Sequence, residues 1–196
     1  MASLKREFFA HQTKISSISV CDEFGLIVTT DCLGKVCYWD LNKLEFIRSY
    51  KCSNEVQLSW ISPTTGDVAL ILEEPDGNTD GRNTVVLLTI NGVQVGSVST
   101  SESIGSITMT NLPEGRAINC LLAGLTDGRI VVIEMWTMTI INEISHESVT
   151  DEIIGMQFSS HCKKLYTLLK SGWVHCWQCA SGNRGKPPSF QFINPF

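Results

Sequence analysis

Three short stretches carry residue types that could do chemistry. In "DGNTDG", Asp76, Asn78, Asp80 and Gly81 follow the D-x-N-x-D-G opening of a calcium loop, in which alternate oxygens wrap a hard cation and glycine makes the sharp turn. That loop needs a bidentate Glu at its twelfth position, where this chain has Leu87. The flanks "DVALILEE" and "NTVVLLTI" read as strands, whereas a calcium loop of this type sits between helices. Cys176-Trp177-Gln178-Cys179 is a CxxC, with His175, His161 and Cys162 as conceivable further zinc ligands. There is no second CxxC, and residues three apart in an extended strand face opposite ways. "SHESVTDE" gathers His146, Glu147, Ser148 and Asp151, but it is not HExxH, and catalytic triads are assembled across a fold. No Gly-rich phosphate loop precedes a helix. The sequence therefore predicts no enzyme, no cofactor and no metal site. Asp76, Asn78, Asp80, Cys176 and Cys179 are the metal candidates considered and set aside.

The elements that carry these residues are short. Runs rich in Val, Ile, Thr and Phe, such as "KISSISV", "GLIVTT" and "KVCYWD", are broken by Gly, Asp, Asn and Pro, and helical periodicity is almost absent. A turn followed by an apolar strand recurs four times: "LGKVCYWD", "GRNTVVLLT", "DGRIVVIE" and "SGWVHCWQ". Superposing them aligns Trp39, Leu88, Ile133 and Trp177, at separations of 49, 45 and 44 residues. Four strands per unit of this length is the period of a β-propeller blade, and stacked blades bury faces that one sheet alone would leave wet. The expected division is a possible outer strand of a preceding blade at 1–10, blades at 11–50, 51–100, 101–145 and 146–180, and a tail at 181–196 that serves as the last outer strand.

The first unit resembles the WD repeat, whose histidine, strand hydroxyl, turn aspartate and tryptophan form a buried polar network. His11, Trp39 and Asp40 match, and Thr29 or Thr30 could supply the hydroxyl, but Leu33 stands where the turn aspartate is expected. The third unit keeps Asp127-Gly128 and has Ile133-Glu134 in place of Trp-Asp, while the fourth keeps Trp177 with Ser171 in its turn. On this reading no unit has the complete network, and packing holds the blades together. The stretches "TINGVQVG" and "PEGRAINCLLAGLTDGRI" look like the C-terminal WD40 region of BEACH-domain proteins, on the lysosomal trafficking regulator branch. The resemblance runs from about His11 to the end and implies an all-β, WD40-type partial propeller of about four blades from a usual seven. It further implies a scaffold for vesicle and lysosome-related trafficking, and a chain that is the tail end of a longer protein.

Bulk properties are consistent with this. The 196 residues are 43% hydrophobic and 18% charged, with a net charge of −5, so neither nucleic acid nor an anionic membrane surface is the expected main partner. No signal peptide is visible and no apolar run is long enough to span a bilayer, so the expected location is the cytoplasm, peripheral to endolysosomal or vesicle membranes in the full-length protein. Eight cysteines are expected to be reduced core residues. Expected partners are proteins or peptides. The acidic loop (Asp76, Asp80, Arg82) and Trp136 are the candidate interaction surface, and Trp136 is weighed against a packing role beside Met135 and Met138. Trp60 lies in an alternating strand and is expected in the core. Two uncovered blade faces predict self-association. The alternatives are a WD40 subunit of an unrelated cytoplasmic complex and a metal-dependent binder.

Overall fold

Turn residues at short intervals force the chain back on itself, and each apolar run pairs with the run before it. In the computed structural model, which describes residue 7 and residues 9–74, 82–112, 118–180 and 186–193, this produces four antiparallel sheets of four strands each. The first sheet holds β1 (Ile15–Cys21), β2 (Leu26–Asp31), β3 (Lys35–Asp40) and β4 (Glu45–Lys51). The second holds β5 (Val56–Ile61), β6 (Val68–Glu73), β7 (Asn83–Leu88) and β8 (Gln94–Ser99). The third holds β9 (Ile104–Met109), β10 (Cys120–Leu125), β11 (Ile130–Glu134) and β12 (Thr139–Ile144). The fourth holds β13 (Ile153–Phe158), β14 (Lys164–Leu169), β15 (Val174–Ala180) and β16 (Ser189–Ile193), with one 3₁₀ turn at Ser160–Cys162. Strand order follows chain order in every sheet, and the first strands β1, β5, β9 and β13 lie side by side along the inner edge. The fold is a WD40-type β-propeller of four blades.

The two middle strands of blades 2 and 3 are apolar on both faces because each of these blades is sandwiched between neighbours. Val28, Val36 and Tyr38 of blade 1 meet Leu70, Val86 and Leu88 of blade 2. The opposite face of blade 2, with Ala69, Ile71, Val85 and Leu87, meets Leu121, Ala123, Val131 and Ile133 of blade 3. Leu122, Ile130 and Val132 then turn to Leu165, Leu169 and Trp177 of blade 4. Alternation along a strand thus assigns successive residues to successive seams.

Polar links lock the seams along the inner and outer edges. Between β1 and β5, Ser19 Oγ donates to Ser59 O at 2.7 Å, and Ser59 N donates to Ser17 Oγ at 3.1 Å. Between blades 2 and 3, the buried Asn83 side chain accepts a bond from Ile104 N at 2.6 Å. Arg48 reaches from β4 to Asn91 O at 2.8 Å. At the β10–β11 turn Gly128 holds φ +86°, and a Cβ there would stand 2.6 Å from Val149 O of the next blade, so both the turn and the seam need glycine.

Candidate interaction site

The polar network of blade 1 is complete, which corrects the reading that no blade has one. His11 Nδ1 lies 2.9 Å from Asp31 Oδ2, and His11 Nε2 lies 2.7 Å from Thr29 Oγ1. Trp39 Nε1 donates to the same hydroxyl at 2.9 Å. A neutral imidazole carrying its proton on Nδ1 satisfies every group: Nδ1–H donates to the carboxylate, and the Thr29 hydroxyl donates to Nε2 while accepting from the indole. The aspartate is therefore Asp31, the last residue of β2, and not the turn position taken by Leu33. It serves the turn from that strand end, accepting from Leu33 N at 3.0 Å and Lys35 N at 2.9 Å through Oδ1. Burial pushes the Asp31 carboxyl up, but bonds from His11, Lys35 N and Leu33 N outweigh it and hold the pKa below the ordinary carboxylate value.

Register shows what replaces the network elsewhere. Trp39 sits opposite Ile27, two residues before Thr29. The corresponding pairs are Leu70 with Leu88 in blade 2 and Ala123 with Ile133 in blade 3, both apolar and both buried. Blade 4 keeps half of the arrangement: Trp177 Nε1 donates to Thr167 Oγ1 at 3.2 Å. His146, at the place that corresponds to His11, instead stacks on Phe192 at 4.0 Å between ring centroids. Asp40 caps its turn by accepting from Asn42 N and Lys43 N. Asp127 accepts from Arg129 Nε at 2.6 Å, and Arg129 reaches on to Glu143 at 2.7 Å. These matched positions hold blades and turns together.

Of the proposed surface residues, Trp136 is openly displayed. It sits in the β11–β12 turn and is 67% exposed, whereas Met135 and Met138 beside it are buried. This removes the packing reading of Trp136 and separates it from the methionines. The turn is held from below: Glu134 accepts from Trp136 N at 3.1 Å and Thr137 N at 2.9 Å, and also from the Thr137 hydroxyl. Burial raises the Glu134 pKa, but the Thr137 and Trp136 bonds carry it below the usual carboxylate value, so the cap is charged at neutral pH. The equivalent turn positions in blades 1 and 2 are Asn42 and Asn91. A large aromatic thus stands where its sister blades place a small polar residue.

Along the inner edge β1, β5 and β9 line a groove of about 480 Å³, with Ser17, Ser19, Ser59 and Ser106 on its wall and exposed Ile18 and Ile154 at its margin. Trp60 also lines it and is only partly buried, which corrects its expected place in the core; its side chain packs against the edge of the blade 2–blade 3 cluster. The acidic segment with Asp76, Asn78, Asp80 and Gly81 lies outside the described residues. It joins paired strands, with Glu73 opposite Asn83 and exposed Arg82 at its end. β15 runs without a bulge from Cys176 to Cys179, so the two thiols point to opposite faces. Among the described residues no group of three or more His, Cys, Asp and Glu side chains is arranged to hold a metal ion. Burial pushes the Cys120 thiol up to about 12 and Cys179 to about 11, so both are protonated core groups. Sequence reasoning passed over Asp31, Asn83 and the serine bridge; the signal for Asp31 was its place two residues after Thr29, on the same strand face.

No family model matches the chain. It is 31% identical over 183 residues, 93% of its length, to the human lysosomal-trafficking regulator, and 44% identical over 48 residues, 24% of its length, to Beige protein homolog 1 of Schizosaccharomyces pombe. It spans only 5% and 2% of those proteins. Among solved structures, the β-propeller domain of Myceliophteria thermophila Cps50 (Swd1) superposes with a TM-score of 0.70 at 16% identity, over 97% of this chain and 61% of that one. Among the described residues no helix is long and apolar enough to cross a membrane. Similarity over nearly the whole length, together with the four-blade architecture, makes this chain a WD40-type β-propeller of the BEACH-protein family.

Proposed function

We propose that the chain is a non-catalytic platform for protein partners, working in vesicle and lysosome-related membrane traffic. The observation that carries this is Trp136: an exposed indole on a backbone turn fixed by three bonds to one carboxylate. A rigid, exposed aromatic loses little freedom on binding, and Trp is the residue type most enriched at interface hot spots. The trafficking process rests on the similarity to the lysosomal-trafficking regulator, and the propeller supplies the rigid frame. Contact with endolysosomal or vesicle membranes is peripheral, through protein partners. Self-association through an uncovered blade face is the second part of this reading.

A chimera tests it. The matching 183 residues of the human protein are replaced with this chain in cells lacking the endogenous protein, and lysosome size and distribution are measured. The chimera is expected to restore the normal pattern, and the same chimera with Trp136→Ser is expected to lose that effect while keeping its melting temperature. A chimera that folds but does not act, or a Trp136→Ser variant that acts like wild type, sinks the proposal.

A further inference from the structure

We infer that the outer cleft between blades 1 and 2 receives a lysine or arginine side chain from a basic segment of a partner protein. This adds a second contact to the partner-binding reading above and rests on it. The three seams differ at their outer edge, where fanned blades leave a widening gap. At the blade 2–blade 3 seam β8 supplies Val95 and Val98, and Met138 closes in so tightly that a Cβ on Gly96 would stand 3.0 Å from its Cγ. At the blade 3–blade 4 seam Ile144, Phe190 and Phe192 fill the gap, with Phe192 edge-on to Trp177 at 5.0 Å and stacked on His146. The blade 1–blade 2 seam is built from smaller and more polar groups. There β8 turns Gln94 and Ser97, the latter opposite Val86, toward β4, and the Tyr50 hydroxyl donates to Gln94 Oε1 at 3.2 Å. A cleft of about 650 Å³ is left open between them.

The lining of the cleft selects its guest. Buried Leu72 and Val86 form an apolar floor for the methylene stem of a lysine or arginine. Tyr50 supplies an aromatic wall, and the negative face of its ring attracts an ammonium or guanidinium. Glu74 is the one charged side chain among the lining residues. Its Oε1 accepts from Thr84 Oγ1 at 2.8 Å and from Ser99 Oγ at 3.2 Å, which fixes the carboxylate at the cleft. Among the described residues no hydrogen bond or ion pair engages Oε2. Nor does any cation among them line the cleft. The two cations of β4 are engaged elsewhere: Arg48 donates to Asn91 O at 2.8 Å, and Lys51 donates to Leu33 O. A cationic guest therefore meets an unopposed carboxylate, and an anionic one is repelled.

NMR of the isotope-labelled 196-residue chain reads this through its amide shifts as end-capped pentapeptides are added. The probes are Gly-Ser-Arg-Ser-Gly, its lysine counterpart, and a control with uncharged citrulline in place of arginine. One anchored side chain predicts dissociation constants of about 1 mM. The arginine and lysine peptides are expected to shift amides at 50–54, 72–74, 84–86 and 94–97 and to bind more weakly as salt rises, while the citrulline peptide moves nothing. Glu74→Gln should weaken the arginine peptide at least about threefold. Ser97→Leu, which fills the cleft, should abolish binding, and Trp136→Ser should leave it unchanged. Should Ser97→Leu misfold by circular dichroism, Glu74→Gln decides alone. No shift with either cationic peptide, shifts elsewhere on the propeller, equal binding of the citrulline peptide, tighter binding of spermidine, or indifference to Glu74→Gln overturns the inference. Failure here with an active chimera strikes the cleft and leaves the partner-binding role of Trp136 standing; an inactive chimera with peptide binding intact removes the trafficking role alone.

Discussion

Thr29 holds one oxygen between two buried ring nitrogens, His11 Nε2 and Trp39 Nε1. Thr29→Val keeps the shape and strands both nitrogens, so it is expected to cost about 3 kcal/mol in urea unfolding, whereas Thr167→Val, which strands only the Trp177 indole, should cost about half that. The apolar pairs Leu70–Leu88 and Ala123–Ile133 show why a blade can also dispense with the network: when both partners are apolar, nothing is left unsatisfied. Asp31 adds a pH dependence. Its folded pKa lies below its unfolded value near 4, so the stability it contributes is present above about pH 4 and is lost as pH falls through the folded pKa. Asp31→Asn should lower stability at pH 7 and flatten the acid limb of the stability profile below about pH 4, read by thermal unfolding across pH. His11, Trp39 and Trp177 were legible in the sequence because ring residues at a repeat spacing stand out. Asp31 was not, because its role depends on strand register: one residue earlier it would face the other seam.

At the scale of strands, the β9–β10 side of blade 3 is fitted to β13 of blade 4 by the absence of side chains. A Cβ on Gly124 would stand 2.6 Å from Ile153 Cγ2 and 3.2 Å from the Met156 sulfur. Gly124→Ala should therefore destabilise by about 1–3 kcal/mol through overpacking. Ile153→Ala removes the Cγ2 atom at the contact, so the two changes should be strongly non-additive in a double-mutant cycle followed by denaturant unfolding; simple addition would show that the strands do not meet there. The strands themselves were readable from Val/Ile/Thr-rich runs between turn residues. The choice of seam for each residue was not, since both faces of a middle strand are apolar and alternation is invisible there.

For the whole molecule, stability is a sum of blades and seams, because the main contacts between blades among the described residues join neighbours. The blade 2–blade 3 seam packs Leu121 and Ile133 against Ala69, Ile71 and Leu87. Leu121→Ala should cost about 2–5 kcal/mol and loosen the coupling between the two halves. Hydrogen exchange read by mass spectrometry would then show β1–β8 and β9–β16 opening with different free energies, and a single shared opening energy would contradict the nearest-neighbour picture. The same linear arrangement gives terminal blades a meaning that inner ones lack. Blade 1 ends in a face where His11, Thr29 and Trp39 are buried while Ile18, Val20 and Phe46 are exposed, and blade 4 ends in a face that exposes Tyr166, Leu168 and Val174.

The sequence alone determined the β-propeller class, the repeat register through Trp39, Leu88, Ile133 and Trp177, and the family, because a period of about 45 residues and the identity of large side chains survive without coordinates. The tertiary structure decided which carboxylate completes the blade 1 network, and that Trp136 is displayed while Met135 and Met138 are buried. Each of these depends on which residues from distant strands meet across a seam. Strand pairing fixes a residue's face, but only the stacking of blades decides whether that face meets water or another sheet.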